Sequence, residues 1–338
     1  MDILIKSFNR PYYLDRCIQS VYMHCIGEDL QIKVLDDGTP QIYLDKIQQK
    51  FPSIKIYKSE FYNQKVTFTE RGERPKTHNI PIDLWIKIAS ESSQNFILLE
   101  DDIWFTESIN ITELQRTIDQ ENLSFVKLFW LGNPILVQEK SSIIKNKIRI
   151  FKADLFVENP ILYNFIFYKF NRFKIRKTLQ NLKIHTRKRH LSYYSIYSVA
   201  GVVFNKDYFA ALWNSHKNEV DEFLQLYNAV NYKFTNKTAA FARTENEIVR
   251  TGFSSSATNQ FKNYEDVNVD MFRFNKIIND AWLEGDFDAM ANFPADFAQE
   301  NIIEILKASK DSEIRIEEWQ KWVAKFKNQF TAFGCQID

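Results

Sequence analysis

Two groups of carboxylates follow apolar runs in this 338-residue sequence. Asp36 and Asp37 come directly after QIKVL, and Glu100, Asp101 and Asp102 come directly after FILL. Neighbouring carboxylates repel one another and resist desolvation, so such a group at the end of a core strand needs a compensating partner. Carboxylate oxygens are ligands of Mg²⁺ and Mn²⁺, which often bind through one or two carboxylates together with substrate phosphates. The residue types therefore indicate a cation and phosphate site, with a solvated turn as the alternative for either group alone.

Alternating strands and helices position both groups in the first hundred residues. Apolar runs predict strands at 3–5, 31–35, 54–57 and 96–99, and helical spacing predicts helices at 13–22, 43–51 and 82–90. These βαβ units imply a mainly parallel sheet, in which ligands bind beyond the carboxyl ends of the strands. Because both acidic groups fall at such ends, we expect them to share one cleft. A polar, arginine-rich loop is predicted at 64–79.

Composition restricts the class of protein only weakly. A net charge of +1 and 45% hydrophobic residues are ordinary for a globular chain. The three cysteines lack metal-site spacing and make a disulfide framework improbable, which favours a reducing cytoplasm. The sequence contains no run of about 18 apolar residues, so it predicts no transmembrane helix. We therefore expect a cytoplasmic protein, with peripheral contact at the inner face of the membrane as an open alternative.

The opening of the chain carries a family resemblance. SFNRPYYLDRCIQSVYMH followed by QIKVLDDGT resembles the start of GT-A-fold glycosyltransferases, in particular family 2 and related bacterial polysaccharide glycosyltransferases. Glu100-Asp101-Asp102 then stands where that fold keeps its Asp-x-Asp motif. The combination over residues 1–105 is specific, whereas each piece alone is weak.

The resemblance implies an α/β fold of the GT-A (Rossmann-like) type, with a mainly parallel mixed sheet flanked by helices. The glycosyltransferase domain would span 1–262, divided into a nucleotide-sugar-binding half (1–130) and an acceptor half (131–262). A further strand is predicted at 125–131, and strand character at 198–204 with a helix at 206–213 follows in the second half. From about residue 265 the spacing is helical, which predicts a C-terminal helical appendage over 263–338.

Donor-site roles follow from the same resemblance. Asp37 would hydrogen-bond the base of the nucleotide, Asp101 would contact the ribose, and Asp102 would bind the Mn²⁺ or Mg²⁺ that bridges the two phosphates. Further nucleotide-sugar contacts would come from Ser7, Phe8, Arg10, Arg74 and Glu100. Arg71 or Lys76 could take the part of Arg74, and a solvated loop arginine is the alternative. Asp36 could equally be a residue that stabilises the turn.

The catalytic base is sought in the second half. SVAGVVFNKDYFAAL resembles the family segment below the acceptor site, after which a carboxylate base is usual. Asp221 lies at about that distance and is our candidate, although a solvated helix surface would also explain it. The alternative carboxylates are Glu222, Glu245 and Glu247. In ENEIVRTGFSSSATN, Gly252 would permit close approach to the donor, and Asn259 replaces a histidine that relatives could use as a metal ligand.

A basic stretch at 169–190 stands apart from these motifs. It carries nine lysines and arginines with His185 and His190, and no acidic residue occurs between Asn159 and Lys206. We expect an insertion at about 165–192 that could lie on an anionic membrane or bind a pyrophosphate-lipid acceptor or an acidic glycan. No nucleic-acid fold signature accompanies it, which argues against nucleic acid. A solvated insertion is the alternative.

The sequence thus predicts a metal-dependent glycosyltransferase. It would move a sugar from a nucleotide-diphosphate donor to a glycan or lipid-linked oligosaccharide in bacterial surface polysaccharide synthesis, with inversion and a carboxylate base. One alternative is a non-catalytic binding or scaffold protein on the same fold. Another is a nucleotidyltransferase, but that class needs a glycine-rich loop after the first strand, and SFNRPYY contains no glycine.

Overall fold

The computed structural model describes residues 1–27, 30–169, 174–257, 264 and 266–337. Its strands are β1 (Asp2–Ser7), β2 (Cys25–Ile26), β3 (Gln31–Asp36), β4 (Lys55–Lys58), β5 (Asn95–Glu100), β6 (Ile103–Phe105), β7 (Ile109–Asn110), β8 (Leu123–Lys127), β9 (Glu139–Lys145), β10 (Ile148–Ala153), β11 (Val202–Asn205), β12 (Ala240–Thr244) and β13 (Val249–Thr251). Its helices are α1 (Pro11–His24), α2 (Gln41–Lys50), α3 (Tyr62–Thr69), α4 (Ile82–Ser90), α5 (Ile111–Glu121), α6 (Pro160–Phe167), α7 (Ile175–Asn181), α8 (Arg187–His190), α9 (Lys206–Leu212), α10 (Glu222–Thr235), α11 (Met271–Glu284), α12 (Gln299–Ser309) and α13 (Ile316–Thr331).

Nine strands form one mixed sheet in the order β4-β3-β1-β5-β11-β8-β12-β10-β9. β3 pairs with β4 and β12 pairs with β8 in parallel, whereas β11 runs antiparallel to both β5 and β8. Two small sheets, β13-β6 and β2-β7, complete the strand pairing of the described residues. The α/β class, the mixed sheet and the flanking helices predicted from the sequence are confirmed.

The chain divides into two compact units that alternate along the sequence. The first unit comprises Met1–Asp2, Ile82–Leu98 and Asn110–Ile248, and the second comprises Ile3–Pro81, Leu99–Ile109 and Val249–Asp338. Both carboxylate groups belong to the second unit, and all four candidates for the base belong to the first. The division at residues 130 and 262 expected from the sequence stays a prediction.

In the first unit, aromatic side chains fill the space between the sheet and its helices. Phe125, Phe204 and Tyr208 are all fully buried, and the rings of Phe125 and Phe204 lie 5.5 Å apart. The hairpin of β9 and β10 turns at Asn146 and Lys147, both with positive φ, which matches the right-handed twist of the two strands. Sequence reasoning did not find this hairpin.

In the second unit, α1 is bound to the C-terminal region through a buried arginine. The Arg16 guanidinium donates to the carbonyl oxygens of Ala289 (2.7 Å), Ala291 (2.5 Å) and Ala295 (2.8 Å). Trp319 of α13 is also fully buried, and its Nε1 donates to the Ser254 carbonyl at 2.9 Å. The C-terminal helices are confirmed, and they are part of the core of this unit.

Three predicted elements differ from the structure. The strand predicted at 198–204 begins only at Val202. The loop predicted at 64–79 is wrong over its first part, because α3 continues to Thr69. The buried positions of this helix include Lys65 and Thr69, so its inward face shows no apolar period. The strand predicted at 125–131 ends at Lys127, before Leu131 adopts a positive φ. In the described part of the chain, no helix has both the length and the apolar character needed to cross a membrane.

Candidate functional site

The two acidic groups flank the carboxyl end of β1. The backbone N–H of Asp37 donates to the Ser7 carbonyl at 3.1 Å, and the N–H of Asp101 donates to the Lys6 carbonyl at 2.9 Å. On the Asp101 side, the N–H of Phe8 also donates to Oδ2 of Asp101 at 3.1 Å. The end of one strand thus brings together the residues at which the sequence placed a donor site.

Arg10 lies directly on the acidic triplet. Its guanidinium donates from Nη1 to Oδ2 of Asp102 at 2.7 Å and from Nη2 to Oδ1 of Asp101. Glu100 pairs with Nζ of Lys6 at 2.8 Å. Two cations of the chain therefore relieve much of the carboxylate repulsion that makes the triplet costly.

Burial and charge act against each other on the protonation of this cluster. Burial raises the pKa of Asp101 to about 7, although the Arg10 cation opposes the shift. Burial also raises the pKa of Asp102, again against Arg10. For Arg10, burial alone would lower the pKa, but the two carboxylates outweigh it and hold the pKa above its usual range. Arg10 is therefore charged at neutral pH.

Asp102 keeps one carboxylate oxygen free. Its Oδ1 is buried and has no hydrogen-bond partner among the described residues, and the same holds for Oγ of Ser7. An unsatisfied buried acceptor costs about 1–3 kcal/mol, a cost that a bound cation or donor group would remove.

The free oxygen of Asp102 is the atom to which the expected Mn²⁺ or Mg²⁺ could bind. In the described part of the chain, no group of three or more His, Cys, Asp or Glu side chains could hold a metal by itself. Mg²⁺, however, is commonly bound by one or two carboxylates together with substrate phosphates. The residues present fit a cation shared with a diphosphate through Oδ1 of Asp102, and they do not fit a self-contained metal centre.

The other acidic pair divides into two roles. Oδ1 of Asp36 accepts from the N–H groups of Gly38 (3.0 Å) and Thr39 (2.8 Å), which stabilises the turn after β3. Asp37 accepts from Oγ of Ser59 at 2.6 Å and forms an ion pair with Lys65. Burial raises the pKa of both carboxylates to about 6, and for Asp37 the Lys65 cation opposes the rise. Sequence reasoning missed Lys65 because it lay in a predicted loop.

Asp37 and Arg74 line one small cavity with Phe8. The remaining lining residues are Lys65, Pro75, Thr77, His78, Asn79, Ile80 and Phe272. The cavity has a volume of about 50 Å³, room for a few water molecules at roughly 10–15 Å³ each. A nucleotide base fits here only if the segment 74–80 moves outward.

Gly252 approaches the acidic triplet through its backbone. Its N–H donates to the Asp102 carbonyl at 2.9 Å, and a Cβ at this position would overlap the Tyr13 ring. Asp296 fixes the neighbourhood by accepting from the Tyr13 hydroxyl and from the N–H of Phe253, both at 2.8 Å. The Gly252 backbone thus lies close to Asp102 and Tyr13, and its expected approach to the donor stays a prediction. Thr258 and Asn259 lie outside the described residues.

The candidates for the base have different surroundings in the first unit. Asp221 is the N-cap of α10, where Oδ1 accepts from the N–H of Leu224 at 3.0 Å, and it lines a cavity of about 130 Å³ with His216. Glu222 accepts from the Tyr194 hydroxyl at 2.8 Å. The Glu247 carboxylate accepts from the backbone N–H groups of Trp130 and Gly132. Glu245 is exposed. The assignment of Asp221 stays a prediction.

Comparisons with known proteins give structural likenesses only. No protein-family model matches the sequence, and no curated protein matches it either. Among solved structures, the chain is similar to the galactosyltransferase LgtC in complex with donor and acceptor sugar analogues, with 14% identity, a TM-score of 0.34 and coverage of 69% of this chain and 70% of that one. It is similar to residues 1–349 of TarS from S. aureus in complex with UDP-GlcNAc, with 11% identity, a TM-score of 0.32 and coverage of 97% and 91%.

A third similar structure is the bifunctional glycosyltransferase WbbM, with 10% identity and a TM-score of 0.35. This chain is covered over 99% of its length and spans 52% of that protein. LgtC and WbbM are named as glycosyltransferases, the class that the opening of the sequence resembles. At such TM-scores they carry no information about individual residues, so function has to be argued from the site itself.

Proposed function

We propose that this protein is a glycosyltransferase that uses a nucleotide-diphosphate sugar. The observation that carries the proposal is the cluster at the end of β1, where Asp37, Arg10 and the Asp101–Asp102 pair lie around one strand terminus with a free oxygen on Asp102. A nucleotide diphosphate offers complementary chemistry, namely a base with hydrogen-bond donors, a ribose diol and two phosphates that bind cations.

The candidate site residues of the second unit then each have a role in holding the donor. Asp37 accepts from the base, and Arg74 contacts base or phosphate from the same cavity. Asp101 accepts from the ribose hydroxyls, while Ser7 and Phe8 line the nucleotide pocket with their backbone groups. Arg10 orients the two aspartates and favours their ionised forms against the effect of burial, and Glu100 supports the triplet through Lys6.

The reaction requires stabilisation of a departing nucleotide diphosphate. A Mn²⁺ or Mg²⁺ held at Asp102 would neutralise charge that develops on the two phosphates. The positive charge of Arg10 near the same carboxylate limits the net negative charge presented to the donor. A carboxylate base, for which we propose Asp221, would take the proton of the acceptor hydroxyl in an inverting displacement.

For the acceptor we propose a growing glycan or a lipid-linked oligosaccharide of bacterial surface polysaccharide synthesis. The support is the resemblance of the first 105 residues to glycosyltransferases of that kind. A cytoplasmic location with contact at the inner membrane face agrees with this acceptor class.

Two conservative substitutions test the proposal. Asp102→Asn should lower transfer from nucleotide sugar by at least about 100-fold, because oxyanion- and charge-stabilising groups are typically worth that much. Asp221→Asn should lower turnover strongly but leave donor affinity intact. Asp45→Asn on the exposed side of α2 is the matched control. Wild-type transfer by Asp102→Asn would contradict the metal role, and wild-type transfer by Asp221→Asn would contradict the base.

A further inference from the structure

The first unit carries an exposed apolar helix face, and the chain that follows it is rich in exposed lysines. α6 has the sequence PILYNFIF and is apolar on almost every side, yet only part of it is covered. Tyr163 and Phe167 point into the unit and are buried, whereas Ile161 is 77% exposed. Leu162 and Phe165 are also exposed. An all-round apolar helix with an open face is expected to have a partner that covers it.

The segment after α7 adds to this face. Leu182 is 63% exposed, and Ile184 beside it is also exposed. The next residue, His185, is fully buried, and its ring lies 4.8 Å from that of Phe167 on α6 and 4.9 Å from that of Phe156. The contact of His185 with Phe167 therefore holds the segment that carries the exposed Leu182 and Ile184 against α6.

A second histidine, His190, also packs against buried aromatic side chains. The ring of His190 on α8 lies 5.0 Å from that of Phe167 and 5.2 Å from that of Tyr193. Burial lowers the pKa of both His185 and His190, and the Arg176 charge adds to the effect, so neither histidine contributes positive charge at neutral pH. The histidines therefore act here as packing residues, and the charge of the surface comes from its lysines and arginines.

Those lysines are free to act on a partner. Five lysines of this segment are exposed and form no ion pair within the described residues: Lys169, Lys174, Lys177, Lys183 and Lys188. The sequence offers no acidic residue between Asn159 and Lys206 that could neutralise them locally. Residues 170–173 of the predicted basic insertion lie outside the described part of the chain.

We infer that this basic apolar face, defined by Ile161, Leu162, Phe165, Leu182 and Ile184 with the five lysines above, docks on the surface of an anionic lipid bilayer. Apolar side chains that enter the headgroup region and lysines that remain among anionic headgroups are the two components of interfacial binding. A soluble acidic polymer would use the lysines but would leave Ile161 and Leu182 in water. An anionic membrane would engage both the lysines and the apolar side chains.

Vesicle flotation tests this inference on the full chain. The protein should float with vesicles of phosphatidylcholine and phosphatidylglycerol, and binding to phosphatidylcholine alone should be at least about tenfold weaker. The apolar variant Ile161→Ser/Phe165→Ser and the charge variant Lys174→Gln/Lys177→Gln/Lys183→Gln should each lose at least about tenfold in affinity for the anionic vesicles. All these side chains are exposed or lie on the surface of the segment, so both variants should keep the wild-type melting temperature.

Matched controls alter similar side chains elsewhere. Ile143→Ser/Ile144→Ser changes two exposed isoleucines of β9, and Lys55→Gln/Lys87→Gln/Lys307→Gln removes three exposed lysines. Neither control should change flotation. The inference is overturned if wild type does not float with anionic vesicles, or if the controls lose as much as the variants. It is also overturned if binding to heparin, a soluble polyanion, is as tight as vesicle binding and is unaffected by Ile161→Ser/Phe165→Ser.

Discussion

Arg10 is the residue on which the acidic triplet depends. It is 5% exposed and bound to two carboxylates that are themselves largely buried. Removing one partner of a buried ion pair typically costs 3–5 kcal/mol because the other charge remains without compensation. We therefore expect Arg10→Ala to lower the free energy of unfolding by about that amount at neutral pH, as measured by urea denaturation.

Two further variants sharpen this prediction. Arg10→Lys should recover only part of the loss, since one ammonium group cannot reproduce the two-pronged contact with Asp101 and Asp102. Arg71→Ala removes an exposed arginine paired with Glu73 and should change stability by less than about 1 kcal/mol. A loss below about 1 kcal/mol for Arg10→Ala would mean that the buried pair is not as described.

Because the carboxyl group of Asp36 is buried, we expect the free energy of unfolding to depend on pH. Burial raises the pKa of this group from 3.8 to about 6, so the folded state retains a proton that the unfolded state has released. The associated stability is fully present below about pH 4 and is lost as the pH rises towards and through about 6. Asp36→Asn should remove this component, worth up to about 3 kcal/mol, from the slope of unfolding free energy between pH 4 and pH 7. An unchanged slope in urea titrations across this range would contradict the assignment.

At this scale the sequence identified acids more readily than their partners. Asp37, Asp101 and Asp102 follow apolar runs, a signal visible in a short window. The cations Lys6, Arg10 and Lys65 have no such signal, because their pairing depends on strand order and on helix α3. Arg10 was expected to contact the donor, and its contacts with two aspartates became visible only in three dimensions.

The segment 71–80 is the element that would have to move for a nucleotide base to bind beside Asp37. It contributes Arg74 to a cavity of about 50 Å³ that is too small for a base, and Arg71 and Lys76 are exposed within it. Binding of a nucleotide sugar should slow tryptic cleavage after Arg71 and Lys76, because the ligand orders the segment in its new position. Cleavage at the exposed Lys307 on α12 is the internal control. Equal cleavage of 71–80 with and without every donor tested would argue against base binding in this cavity.

The sequence predicted elements well where their inward faces are apolar. The strands β1, β3 and β5 and the helix α4 lie within a residue or two of their predicted limits. α3 was missed because Lys65 and Thr69 occupy its buried face. The β9–β10 hairpin was missed although Asn146 offered a signal, since asparagine tolerates the positive φ of such a turn.

For the whole molecule, the C-terminal helices determine whether the second unit can form. Phe274, Trp282 and Trp319 are almost completely buried, and Arg16 loses its three carbonyl partners if residues after 257 are removed. We expect a chain ending at residue 257 to lose cooperative thermal unfolding and to precipitate, whereas a chain ending at Cys335 should behave as wild type. A soluble, cooperatively folded 1–257 chain would instead support the independent domain that the sequence predicts over residues 1–262.

The helical nature of this region was readable from its spacing, but its place in the core was not. Long-range contacts such as that of Arg16 with Ala295 separate residues by 279 positions, and no local pattern reports them. The alternation of the two units along the chain is hidden from the sequence for the same reason.

Thermal unfolding in the presence of nucleotide-diphosphate sugars, with and without Mn²⁺, tests the central claim most directly. A ligand that binds only the folded protein raises its melting temperature. We expect at least one donor to raise the melting temperature by about 3 °C or more near saturation. Part of this increase should require Mn²⁺. The Mn²⁺-dependent part should be lost in Asp102→Asn and kept in Asp45→Asn. If no nucleotide sugar changes the melting temperature of the wild-type protein with Mn²⁺ present, the cluster at the end of β1 is not a donor site.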